Sequence, residues 1–232
     1  MQYLLIIIAD LASFIYFSFV QSRCSLHFRL KLKEMNEQEK KNEFRAFIGN
    51  FPFLNAEETE VIIENTNLEE FKKGSLLLKE GEISKKCYAV IRGCVREYYV
   101  KEGVEKTTAF FTEGQPINSF SSYTNKVPSK HYLECSEDCL LTVGSQSLID
   151  QMCERLPRLN EFLKLEVEKS AGDLQERMAN FMTSSPEERL NDLMENTSGL
   201  FNRVPQHQIA SYLGITPESL SRIKKRAYQK QN

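Results

Sequence analysis

Gln208-Ile-Ala-Ser-Tyr-Leu-Gly-Ile-Thr-Pro-Glu-Ser-Leu-Ser-Arg-Ile-Lys-Lys225 meets the steric requirements of two short helices joined by a tight turn. Ile209, Leu213, Leu220 and Ile223 supply apolar contacts that hold the helices at a steep angle, and Ala210 is small where they approach most closely. Gly214 lies between them, where a positive backbone φ reverses the chain in a few residues at little cost. Thr216 reads as an N-cap. Pro217 at the first helical position has a preset φ and lacks only an N–H that a helix leaves unpaired, and Glu218 complements the positive end of the helix dipole. The stretch is predicted to be a helix-turn-helix whose second helix starts at Thr216 or Pro217.

With Leu220 and Ile223 buried, the outward face of that helix carries Glu218, Ser219, Ser221, Arg222, Lys225 and Arg226, groups that read base edges or hold phosphates. The charge is local. From residue 203 onward six basic residues face one acid, Glu218, whereas the whole chain carries −2. Double-stranded DNA is therefore the expected partner, and the candidate DNA-binding residues are Gln206, His207, Thr216, Pro217, Glu218, Ser219, Ser221, Arg222, Lys224, Lys225 and Arg226. The plainer alternative is a helical hairpin with a solvated basic tail.

The chain has 232 residues, 41% hydrophobic and 27% charged, which suits two globular domains. Six cysteines (Cys24, Cys87, Cys94, Cys135, Cys139, Cys153) form no CxxC pair, and the one close spacing is that of Cys135 and Cys139. Reduced, mostly buried thiols are expected. Three scattered histidines, His27, His131 and His207, make a histidine-rich metal site improbable, and no nucleophile-base-acid constellation points to an enzyme. No metal and no cofactor are expected.

Residues 1–34 admit three readings. Tyr3 to Val20 is almost wholly apolar, with Asp10 its one charge, and Arg23, Arg29, Lys31 and Lys33 follow. As a membrane anchor it would leave the rest of the chain in the cytoplasm, although Asp10 near a helix centre costs roughly 2.5 to 3.5 kcal/mol. A cleaved signal lacks its basic first region. The third reading starts the protein at Met35, which opens a polar amphipathic helix, and makes residues 1–34 a translated leader. A cytoplasmic location, with or without the anchor, is the expectation.

After Met35, Phe44, Phe47, Ile48, Phe51 and Phe53 form an apolar face, and Asn55 can cap a short helix through Val61 and Ile62. From Asn67 to Val143 the pattern becomes short β-type runs: 75–78, 87–91, 95–100, 105–111 and 132–143. Gly74, Gly81, Gly93, Gly103 and Gly114 lie at the turns, which suggests an antiparallel sandwich or jelly roll. From Pro157, Leu159, Leu163, Val167, Ala171, Leu174, Met178 and Met182 recur every three or four residues on one helix. That stripe reads as a dimer seam, with a monomer core element as the alternative. Ser185 as cap and Pro186 at the first position then start another helix.

This order of elements resembles the Crp/Fnr family of dimeric transcription regulators over about Asn36 to Lys225. Two stretches carry the resemblance: the helix-turn-helix, and Phe71-Lys-Lys-Gly-Ser-Leu-Leu-Leu-Lys-Glu-Gly-Glu82 with Tyr88-Ala-Val-Ile-Arg-Gly-Cys-Val95, which is similar to the family's glycine-punctuated cyclic-nucleotide-binding sheet. It implies an α+β fold: an antiparallel β jelly-roll sensor over 35–155, a dimerisation helix over 156–184, and a helix-turn-helix domain over 185–232, winged-helix-like with a reduced wing. It also implies base contacts from the positions of Pro217, Glu218 and Arg222. Proline has no side-chain donor, so one contact of the cyclic-AMP receptor type is missing there.

Cyclic-AMP binders of the family carry a Gly-Glu-Leu run, whose glutamate holds the ribose, and an Arg-Ser-Ala run, whose arginine pairs with the cyclic phosphate. The matching positions are Asn118-Ser119-Phe120 and Ser129-Lys130-His131, so serine replaces both charged groups. Lys130 supplies a charge without the two-pronged guanidinium geometry. The effector expected at Asn118, Ser119, Phe120, Ser129, Lys130 and His131 is therefore a small molecule other than cyclic AMP. The resemblance implies the chain's own second copy, an inverted-repeat DNA site and, for an activator, RNA polymerase as partners. The rival expectation is a ligand-binding or membrane-tethered sensor whose C-terminal helices bind protein.

Overall fold

The computed structural model describes residues 35–49 and 53–230. The apolar leader, Cys24, His27 and Phe51 lie outside the described residues, as do the side chains of Leu163 and Val167.

Among the described residues two short helices come first, each started by a reciprocal cap. In α1 (Glu37–Ile48) the Asn36 side chain accepts from the Glu39 N–H at 2.9 Å, while the Glu39 carboxylate accepts from the Asn36 N–H at 2.8 Å. Asn55 and Glu58 repeat the arrangement at α2 (Ala56–Asn65). The apolar faces of both helices, Phe44, Phe47, Ile48, Ile62 and Ile63, close over Leu68, Ile91 and Leu140 of the sheet behind them.

Eight strands follow: β1 (Asn67–Phe71), β2 (Leu76–Leu78), β3 (Cys87–Arg92), β4 (Val95–Lys101), β5 (Val104–Phe111), β6 (Pro116–Ile117), β7 (Tyr132–Cys135) and β8 (Cys139–Gly144). They form two antiparallel four-stranded sheets, ordered β1-β8-β3-β6 and β2-β7-β4-β5. Val90, Val95, Ile117, Leu133, Cys135 and Leu141 fill the space between them, as a jelly roll requires. Gly93, at the β3–β4 turn, shows why a glycine is needed. Its φ is +111°, and a Cβ would stand 2.5 Å from Cys139 Sγ.

The apolar run 132–143 is two strands, not one. Ser136, Glu137 and Asp138 turn a corner, so that β7 lies in one sheet and β8 in the other, with the Ser136 N–H donating to the Cys94 carbonyl at 2.8 Å. The corner contains neither glycine nor proline, so periodicity alone cannot reveal it.

A short helix, α3 (Phe120–Asn125), lies between β6 and β7, and helices complete the chain after β8: α4 (Gln146–Arg155), α5 (Pro157–Thr183), α6 (Pro186–Asn196), a 3₁₀ turn (Ser198–Asn202), α7 (Gln206–Tyr212) and α8 (Pro217–Lys230). One residue of the expected seam on α5 is used inside the subunit: Leu159 is 4% exposed and packs with Met152, Leu156 and the helices under the roll. The first turn of α5 still lies against the sensor, so its stripe position is buried without a partner. Further along, Leu174, Met178 and Met182 are 62%, 65% and 74% exposed. Among the described residues, no helix is long and apolar enough to cross a membrane.

Candidate nucleic-acid interface

The C-terminal head is built on an apolar core that Cys94 and Phe110 of the roll join. Leu190, Leu193, Leu200, Val204, Ile209, Ala210, Leu213 and Leu220 are buried together, with Ile223 partly buried against them. Gly214 adopts φ +71° and turns α7 into α8. The Thr216 hydroxyl accepts from the Ser219 N–H at 3.2 Å, the expected cap, and Pro217 is the first residue of α8.

On this scaffold Pro217, Glu218, Ser221, Arg222, Lys225 and Arg226 are exposed, and Ser219 is half-buried. An Nη2 donor of Arg222 reaches Ser219 Oγ at 3.3 Å, so the guanidinium is drawn toward the start of the helix. Donors at that start, chiefly its own backbone N–H, with Thr216 and the Arg222 charge adding, hold the Glu218 carboxyl below the usual carboxylate range. It stays an acceptor. Lys224 is turned aside: its Nζ donates to Gln206 Oε1 at 3.4 Å and lies 5.1 Å over the Phe201 ring. His207 is exposed at the start of α7.

In the sensor, Ser119 and Ser129 are buried at the two ends of the segment carrying α3. Ser129 Oγ donates to the His131 carbonyl at 2.8 Å and accepts from the His131 N–H at 3.2 Å, so the hydroxyl closes its own turn. Phe120 and Lys130 are exposed, and Asn118 Oδ1 is a buried acceptor without a hydrogen bond. His131 faces a carboxylate. Its Nε2 is 3.5 Å from Glu97 Oε2, its ring lies 5.4 Å from that of Tyr99, and Thr108 Oγ1 donates to Glu97 Oε1 at 2.6 Å. A cyclic phosphate placed here would meet Glu97 and find no guanidinium, so these residues do not fit that group.

A cyclic nucleotide-binding domain model matches residues 68–156. The fumarate and nitrate reduction regulatory protein of Vibrio cholerae is 26% identical over 165 residues, covering 66% of this chain and 65% of that protein. The protein of the same name from Yersinia pestis is 28% identical over 176 residues, covering 69% and 68%. FixK2 from Bradyrhizobium japonicum superimposes with a TM-score of 0.60 at 16% identity, over 72% of this chain and 86% of that one. A CooA mutant from Carboxydothermus hydrogenoformans gives 0.58 at 15% identity, over 86% and 87%.

The chain carries a cyclic nucleotide-binding domain and is similar to regulators of the Crp/Fnr family. It spans about two thirds, 65%, of the length of the Vibrio cholerae relative. Its architecture is that of the family: mixed α+β, with an antiparallel roll and a C-terminal helical domain.

The informative residues that sequence reasoning missed are Glu97, Tyr99 and Thr108 in the sensor, and Glu113, Glu137, Arg203 and Ser211 between sensor and head. The alternation of β4 around the buried Val95 was the available signal for Glu97, since it puts residues 95, 97 and 99 on one face. The five described cysteines are free thiols. Burial pushes the Cys87 and Cys94 thiols up to about 12, which keeps them protonated and unreactive. Among the described residues no group of three ligating side chains could hold a metal.

Proposed function

We propose that the protein is a homodimeric, sequence-specific DNA-binding transcription regulator whose sensor responds to a small molecule other than cyclic AMP. One observation carries the reading. α8 is anchored by Leu220 on a buried head core, and it presents Glu218, Ser221, Arg222, Lys225 and Arg226 to solvent. Glu218 can accept from cytosine N4 and Arg222 can donate to guanine O6 and N7, while Lys225 and Arg226 hold phosphates. The regulators of Vibrio cholerae and Yersinia pestis named above support the same output.

The exposed stripe of Leu174, Met178 and Met182 on α5 supports pairing with a second copy. A two-fold dimer then reads an inverted repeat with half-sites one helical turn apart, about 34 Å. RNA polymerase becomes a further partner if the output is activation.

The test is selection of bound sequences from random duplex DNA by the purified full chain without ligand, followed by sequencing. An enriched inverted repeat is the expected result. Binding that shows neither enrichment nor a steep loss with salt would remove the DNA reading in favour of a protein-binding head.

A further inference from the structure

Arg203, between the 3₁₀ turn and α7, joins the head to one end of the roll. Its Nη1 and Nη2 donate to Glu113 Oε2 and Oε1 at 2.9 and 2.7 Å, and its Nε and Nη2 donate to Glu137 Oε1 at 2.8 and 2.6 Å. Glu113 belongs to the β5–β6 turn and Glu137 to the β7–β8 turn, and Glu113 Oε1 also accepts the Gly93 N–H of the β3–β4 turn at 2.9 Å. Three turns of the sensor thus converge on one guanidinium of the head. Burial works against the Arg203 charge, but the two carboxylates outweigh it and hold its pKa raised.

A second polar contact stands on β5, the last strand of its sheet. Ser211 Oγ accepts the Thr107 N–H at 3.0 Å and donates to the Glu105 carbonyl at 3.1 Å, which satisfies edge groups the sheet leaves open. The Phe110 and Tyr212 rings meet edge-on at 5.5 Å, and Cys94 is buried within the head's apolar cluster. Head and roll therefore share a core as well as polar contacts.

The connection along the chain is slighter. Ser184 and Ser185, both extended, link α5 to α6, and Arg189 braces the link by donating to the Ser184 and Leu213 carbonyls at 2.6 and 3.0 Å. That brace ties the head to the end of α5, and Arg203 with Ser211 ties it to the roll. In this docked position the outward face of α8 and the stripe of Leu174, Met178 and Met182 both stay exposed. Docking covers neither of these surfaces.

We propose that the latch of Arg203, Glu113, Glu137 and Ser211 seats each head rigidly on the sensor of its own subunit, fixing the span between the two recognition helices and making the dimer selective for half-site spacing. This rests on the DNA-binding reading above. A seated head has already given up its orientational freedom, so the second head reaches its half-site at high effective concentration when the spacing matches, and at low effective concentration when it does not. A released head loses the first advantage and tolerates other spacings.

The experiment uses the full chain and labelled duplexes of three kinds: the selected inverted repeat, the same half-sites moved apart by a few base pairs, and a single half-site. Wild type, Arg203→Gln and Ser211→Ala are titrated on each, with circular dichroism melting as a check of folding. Arg203→Gln should bind the native repeat about tenfold more weakly and the shifted repeats no more weakly than wild type, so that the spacing preference flattens while single-site affinity holds. Ser211→Ala should move the same way by a smaller factor.

If Arg203→Gln also loses the single half-site, the head itself is damaged and Ser211→Ala decides. Spacing preference equal to wild type in the deciding variant overturns the proposal. So does tighter binding to the native repeat, which would make the latch a brake. Wild type that binds no duplex at all removes the DNA reading and the latch's role with it, an outcome distinct from either of these.

Discussion

The arginines of the roll and those of α8 are placed in opposite ways. In the roll, Arg92 pairs with Glu43 at 3.1 Å, and Arg96 pairs with Glu105 and Glu134 at 2.7 and 2.8 Å while lying 4.0 Å over the Tyr98 ring. On α8, Arg222, Lys225 and Arg226 have no carboxylate within 4 Å among the described residues. A cation neutralised within the fold supports structure, whereas a cluster left unneutralised on a rigid helix attracts a polyanion. The same distinction separates the sensor position where Glu97 stands near His131 from the head. Phosphate is expected at one end of the molecule and not at the other.

The largest expected effect lies on the neutralised side. Arg96→Ala strands Glu105 and Glu134 beside each other, and urea unfolding should show a loss of about 3 kcal/mol; this is the low end for breaking a buried pair because both carboxylates keep some water. Loss of less than about 1 kcal/mol would place Arg96 among ordinary surface pairs and blunt the contrast.

Arg222→Ala should leave stability within about 0.5 kcal/mol and instead cost about 1–3 kcal/mol of discrimination at one base position, read by competition binding with single-base variants of the selected site. Lys225→Ala should weaken every sequence alike and reduce the salt slope by about 0.9. Equal loss on all sequences for both variants would show that Arg222 holds only phosphate.

The smallest expected effect is none. Cyclic AMP at millimolar concentration should not move the melting temperature, because Ser129 is engaged with His131 and Glu97 repels the cyclic phosphate. A shift equivalent to about 2.7 kcal/mol, that of a ligand at a hundred times its Kd, would mean that other cations reach the cyclic phosphate.

How much of this was legible in the sequence follows from the range of each interaction. The helix-turn-helix was legible because Gly214, Thr216 and Pro217 do their work within a few residues, through φ, a hydroxyl and a missing N–H. Asn55 and Ser185 were legible as caps for the same reason. The exchange between sheets at Ser136 was not, since it is fixed by a bond to Cys94 and not by a breaker residue. Nor was Arg203: its carboxylates are 90 and 66 residues away, and a basic residue at the edge of a basic head is naturally assigned to phosphate. Leu159 fits the stripe of α5 as well as Leu174 does. Only the neighbouring helices decide that one is covered within the subunit and the other left open.

The open part of that stripe is rich in sulfur. Met178 and Met182 expose unbranched thioethers on a surface suited to a second copy, where their flexibility tolerates imperfect fit. A thioether in solvent is also the atom that peroxide converts to a polar sulfoxide, and a sulfoxide on this face opposes the burial that pairing requires. If the helix pairs as proposed, an unpaired subunit would age under oxidants faster than a paired one, and association and chemical durability would be the same property.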